Sequence, residues 1–122
     1  MENKFEMKEK KISYSLDLLR DMMSNDEEEV DKMIRIFLDT APEILSKLNE
    51  GLANNDMQQV YLYSHKLKSS IDIFHITELA DLIRELEKNS KDKINIENIP
   101  TQIEKVNEII NDVLKGISKE IS

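Results

Sequence analysis

Only two glycines and two prolines occur in 122 residues, and this scarcity of backbone punctuation constrains the fold more than any other feature of the chain. Sheet-rich folds reverse direction often and need glycine or proline to do so. Long helices need few such residues. Apolar side chains recur at three- and four-residue steps, as in Val30, Met33, Phe37, Ile44, Leu48 and Leu52, which is the period of a helix with one buried face. The fold expected is all-α. A chain of 122 residues is one domain's worth, enough to bury a core and too short to add a nucleotide-binding domain beside it.

The caps and apolar rhythm divide the chain into elements. Residues 1–12 are charged and lack helical periodicity, and read as a flexible N-terminal arm. A short helix is expected from about Ser13 or Tyr14, carrying Leu16, Leu19 and Met23 and ending near Ser24 and Asn25. Asp26 caps a second helix over 27–53, whose acidic start suits the positive end of the helix dipole. Pro42 falls inside that rhythm, so it predicts a kink rather than a break. Asp56, with Gln59 three residues on, resembles a capping box for a third helix bearing Val60, Ser64, Leu67, Ile71 and Phe74 on its core side. His75 marks its end, because histidine tolerates a left-handed backbone better than most residues. A fourth helix over about 77–89 carries Leu79, Leu82, Ile83 and Leu86. The polar stretch 89–98 reads as a loop. Pro100 suits the first turn of a last helix with Ile103, Val106, Ile110, Val113, Ile117 and Ile121 inward. Four amphipathic helices over 13–122 with short connections pack as an antiparallel four-helix bundle, with the short N-terminal helix as an extra.

Charge and composition narrow the function. The net charge is −8 and no segment gathers enough lysine and arginine to track phosphates, which argues against nucleic acid and anionic membrane surfaces as partners. There is no cysteine, hence no thiolate chemistry. The start lacks the apolar run of a signal peptide, and no window approaches the roughly 18 apolar residues of a membrane span. A cytoplasmic protein is expected.

One histidine stands apart. With Val60 at the centre of the core stripe, His65 falls about 140° around the helix and faces solvent. Tyr61, Leu62, Lys68, Ser69 and Asp72 share its side, and Ile73 extends the apolar surface at about 220°. Lys68 lies three residues on, within side-chain reach. Apolar groups around an exposed histidine suggest a docking surface. An unprotonated imidazole nitrogen is a nucleophile, and a phosphoryl group is a suitable electrophile, since its transfer needs access and charge neutralisation more than a deep pocket. Lys68 supplies an ammonium, and Ser69 a hydroxyl donor. No glycine-rich loop is present, so donor and acceptor must be other proteins. A different reading is a non-catalytic helical interaction module, with Tyr61, Leu62 and Ile73 as its contact residues. Glu85 and Glu87 form no convincing metal set with two histidines ten residues apart, and read as solvated charge.

The stretches 64-SHKLKSS-70 and 79-LADLIRELE-87 resemble the signature of histidine-containing phosphotransfer (HPt) domains of multistep phosphorelays. The resemblance continues through 14-YSLDLLRDMMSNDEEEV-30, 37-FLDTAPEILSKL-48 and 56-DMQQVYLYSHKLK-68, and so covers nearly the whole chain. It implies a four-helix bundle carrying a phosphoryl group between aspartates of receiver domains, with no ATP site of its own. The implied partners are response regulator receiver domains and a hybrid sensor histidine kinase, and the chain is expected to be a monomer. No cofactor is implied beyond Mg2+ brought by the receiver. Carried over by position, His65 would be the phosphoacceptor, Lys68 would contact the phosphoryl group, and Ser70 would match the serine after the family's usual glycine. Three positions depart from the pattern: Ser64 replaces a common alanine, Ser69 replaces that glycine, and His75 replaces a glycine at the turn. Ser69 adds bulk where a receiver backbone approaches, and His75 is a second candidate nucleophile.

Overall fold

The computed structural model describes residues 14–121, so the expected arm over 1–12, together with Ser13, lies outside the described residues. Five α-helices follow in order: α1 (Asp17–Met22), α2 (Glu27–Ala53), α3 (Met57–Ile73), α4 (Thr77–Asp92) and α5 (Ile99–Ser118), with a 3-10 turn at Ile96–Asn98 before the last. α2 packs against α3 and α5, and α4 packs against the same two helices, closing a four-helix ring on which α1 rests through α2. No strand occurs among the described residues.

α1 begins later than its sequence suggests. The Asp17 amide donates to Ser15 Oγ at 3.1 Å and the Ser15 amide donates to the Phe74 carbonyl at 3.0 Å. Residues 14–16 are therefore a lead-in tied to the end of α3, with Leu16 and Leu19 buried.

The caps of the two central helices do what their residue types allow. Asp26 Oδ1 accepts from the amides of Glu28 and Glu29 at 3.1 and 3.4 Å, which satisfies two of the orphan donors at the start of α2. Asp56 Oδ1 accepts from the Gln59 amide at 3.1 Å. The box is one-sided, however, because the Gln59 side chain donates to the Lys47 carbonyl at 2.9 Å and ties α3 to α2. α2 runs unbroken through Pro42. Its buried face is Val30, Ile34, Phe37, Ala41, Leu45, Leu48 and Gly51. The expected Met33, Ile44 and Leu52 flank that stripe, half-buried. Gly51 matters for the approach of α3: a Cβ there would lie 3.1 Å from Val60 Cγ2 and 3.2 Å from the Val60 amide nitrogen.

The core stripe expected for α3 is buried throughout, from Val60 through Ser64, Leu67 and Ile71 to Phe74. Phe74 stacks on Phe37 with centroids 4.4 Å apart. The turn after α3 is a Schellman motif. His75 adopts φ 52°, its amide donates to the Asp72 carbonyl at 3.1 Å, and the Ile76 amide donates to the Ile71 carbonyl at 2.9 Å. Ile76 and Ile71 are both buried, the apolar contact that accompanies this cap.

The stretch read as a loop from residue 89 is a loop only from residue 93. Asn89 and Ser90 are buried in the last turns of α4. The Ser90 hydroxyl donates to the Leu86 carbonyl at 2.8 Å, and Asn89 Nδ2 donates to Gln102 Oε1 of α5 at 3.4 Å. Polar residues that look like loop composition are thus helix residues whose polar atoms find partners inside the bundle. Pro100 stands in the first turn of α5 as expected.

Candidate functional site

α3 buries one side and turns the adjacent flank towards α4. Ser64, on the buried side, has no free hydroxyl: its Oγ donates to the Val60 carbonyl at 2.8 Å and lies 3.0 Å from that of Tyr61. The serine that stands where alanine is common is thereby accommodated without an unsatisfied polar atom. His65 follows it and leaves the core side, with its side chain 55% exposed.

Across the groove, on α4, stands Glu87. His65 Nδ1 lies 2.5 Å from Glu87 Oε2, within hydrogen-bond reach, and Lys68 Nζ donates to Glu87 Oε1 at 2.9 Å. The Glu87 side chain is only 14% exposed and Lys68 is 29% exposed. Burial pushes the Glu87 carboxyl up, but the hydrogen bonds from His65 and Lys68 and their charges outweigh it and hold it below the usual glutamate range. Glu87 is therefore ionised at neutral pH and can only accept. Two acceptors cannot bond each other, so the ring nitrogen facing it carries the proton. A neutral His65 then has its lone pair on Nε2, at the far side of the ring. Glu87 corrects the reading of that residue as solvated charge, while Glu85 is exposed as expected.

The other residues singled out in the sequence fall into two groups. The ring of Tyr61 lies 6.0 Å from that of His65, tilted by 34°. Leu62 is 45% exposed. Ser69 is exposed and its hydroxyl turns back to the Lys66 carbonyl at 3.4 Å, while Ser70 is half-buried. These lie within a turn or so of His65. Asp72 is further along and accepts from Arg84 Nη2 at 2.8 Å, an ion pair exposed on both sides. Ile73 packs against the core, half-buried, and so adds less surface than its helical angle implies. His75 is exposed but serves the turn.

Among the described residues no three or more histidine and carboxylate side chains gather as a metal set, and no helix is long and apolar enough to cross a membrane. A family model described as Hpt domain matches residues 32–116, a span that starts in the second turn of α2, includes His65, Lys68 and Glu87, and ends in the last turn of α5. No curated protein and no solved structure matches the chain.

Proposed function

This chain belongs to the Hpt domain family, whose role is histidine phosphotransfer in phosphorelays, and from that premise we propose that His65 carries the phosphoryl group between aspartates of receiver domains. The observation that carries this reading is the bond from His65 Nδ1 to Glu87, which leaves Nε2 as the free and outward nucleophile. In the forward step the Nε2 lone pair attacks the phosphorus of a receiver's aspartyl phosphate. A P–N bond forms, the P–O bond breaks, and the aspartate leaves as a carboxylate. The ring becomes an imidazolium, whose positive charge lies against Glu87. In the return step a second receiver's carboxylate attacks phosphorus and the ring leaves neutral, its proton still on Nδ1. Lys68 neutralises phosphoryl oxygens, and Mg2+ enters with the receiver. A hybrid sensor kinase as donor and a response regulator as acceptor complete the route.

Exposure supports this chemistry, since in-line transfer needs the receiver's active site to close over the histidine. Leu62 and Tyr61 supply the apolar surface beside it, and a monomer presents that surface freely. The test is to incubate the protein with a receiver already phosphorylated on aspartate, and to assay acid-labile, base-stable phosphate on wild type, His65→Gln and His75→Gln. Label is expected on wild type and on His75→Gln, and none on His65→Gln. Wild type that takes no label from several receivers, or label that survives on His65→Gln, sinks the proposal; in the first case the chain is a binding module.

A further inference from the structure

We infer that Lys91 of α4 is a second phosphoryl-binding cation, held in reserve on the ring of Tyr61 until the phosphoryl group arrives. The inference rests on the phosphocarrier reading and assigns a residue that the sequence pattern around His65 does not include. Its starting point is a shortage of positive charge. A phosphoryl group brings close to two negative charges, and on Nε2 it would stand beside the ionised Glu87. Lys68 faces both demands with one ammonium, and that ammonium is already bonded to Glu87 Oε1 at 2.9 Å.

Lys91 is placed to meet the excess. It follows Glu87 by one helical turn, so both side chains emerge on the same side of α4. That spacing normally favours an ion pair between the two residues. Here both Glu87 oxygens are engaged, one by His65 and one by Lys68, and among the described residues Lys91 pairs with no carboxylate. Its Nζ instead lies 5.9 Å from the centroid of the Tyr61 ring, and the His65 imidazole lies 6.0 Å from that same ring. One aromatic ring therefore has the reactive histidine and an exposed ammonium, without a carboxylate partner among the described residues, as neighbours. Contact with a half-buried aromatic ring at this distance is weak, and a lysine stem reaches several ångströms, so a dianionic group nearby draws Nζ off the ring. Lys68, with three donors, can then keep its bond to Glu87 and still reach the phosphoryl oxygens, while Lys91 compensates the charge that one ammonium leaves over.

The experiment loads the purified protein with phosphoramidate as a small-molecule phosphodonor. Ammonia leaves as the P–N bond to His65 forms, and no receiver is needed. Wild type, Lys91→Gln and Lys91→Arg are compared at a fixed ratio of phosphoramidate to ammonium, and the ratio of phosphorylated to free His65 is read. The glutamine variant should show a ratio lowered about threefold, within the range of one exposed charge pair. Arginine should restore it, and the difference should shrink as salt is raised. In wild type the Lys91 Cε and Tyr61 ring resonances should both shift on loading. Equal ratios for wild type and Lys91→Gln overturn the inference, and so does a loss that arginine does not restore, which would assign Lys91 a packing role. If wild type takes up no phosphoryl group, the carrier reading fails and this inference falls with it, so the two failures are distinguishable.

Discussion

Replacing Glu87 by glutamine tests the electrostatic account of the site. The change keeps the side chain's shape and an acceptor oxygen and removes its charge. Bonds to charged groups contribute about 1.5–3 kcal/mol against roughly 0.5–1.5 for neutral pairs, so each of Glu87's two bonds loses about 1 kcal/mol. The His65 bond is discounted by about half, because that ring is more than half exposed and water screens it. The bond to Lys68 is discounted less, since neither partner is more than a third exposed. The variant should therefore be about 1–1.5 kcal/mol less stable at neutral pH by urea denaturation. Transfer is expected to slow by about fivefold, because the imidazolium formed in the step loses roughly 1 kcal/mol of stabilisation.

The same substitution has a signature in pH. The folded carboxyl of Glu87 lies below the ordinary glutamate value of 4.5, so its contribution to stability is full above that value and is lost as pH falls through the lower, folded one. Wild type should show this acid loss and Glu87→Gln should not. The ring proton of neutral His65 should sit on Nδ1 in wild type by 15N NMR. A wild-type ring protonated on Nε2, or a glutamine variant that transfers at the wild-type rate with unchanged acid sensitivity, refutes the reasoning.

Two further substitutions test the frame that holds the site. His75→Gly should raise stability by about 0.5–1 kcal/mol, since φ is 52° there; a lower urea midpoint would contradict the Schellman geometry. Gly51→Ala should cost about 1 kcal/mol net, as the added Cβ meets the Val60 amide nitrogen at 3.2 Å and the Asp56 carbonyl at 3.3 Å, backbone that yields less easily than a side chain, and the gain in helix propensity does not offset this. A thermal melt at or above wild type would show that α3 can move away.

Much of this fold is legible in the sequence because its signals are local. Asp26 and Asp56 lie where an aspartate's reach to the amides two and three residues on predicts a helix start, and both caps are made. The whole buried stripe of α3 follows from spacing alone, as does the outward direction of His65. What escapes is set by contacts between elements. Asn89 and Ser90 look like loop composition until Gln102 of α5 and the Leu86 carbonyl provide their partners. Glu87 looks like one charge among many on a charged helix, because its environment is made by α3. A signal for it does exist: in a helical hairpin turning at Ile76, His65 lies eleven residues before the turn and Glu87 eleven after it, so folding the two helices back brings them level. Ile73 escapes for a related reason, since a helical wheel does not record which neighbouring helices reach around to cover a flank.

The arrangement separates chemistry from partner choice. On the phosphocarrier reading, Glu87 fixes the tautomer and answers the charge of the imidazolium while Lys68 braces Glu87, and both act along bonds made within this one chain. Both are largely or partly covered, and neither needs a receiver to be positioned. Leu62 and Ser69 take no part in that clamp: Leu62 is open, and the Ser69 hydroxyl is turned back on its own helix. A serine where the family's glycine is usual therefore leaves the clamp intact and changes only the outline that an approaching receiver meets. On the same reading the nitrogen directed outward by a carboxylate behind the ring needs no pocket of its own, because a docked receiver would close the site. A surface histidine is exposed to every passing phosphodonor, so selectivity has to reside in that outline, and the residues free to vary there are those that the clamp does not use.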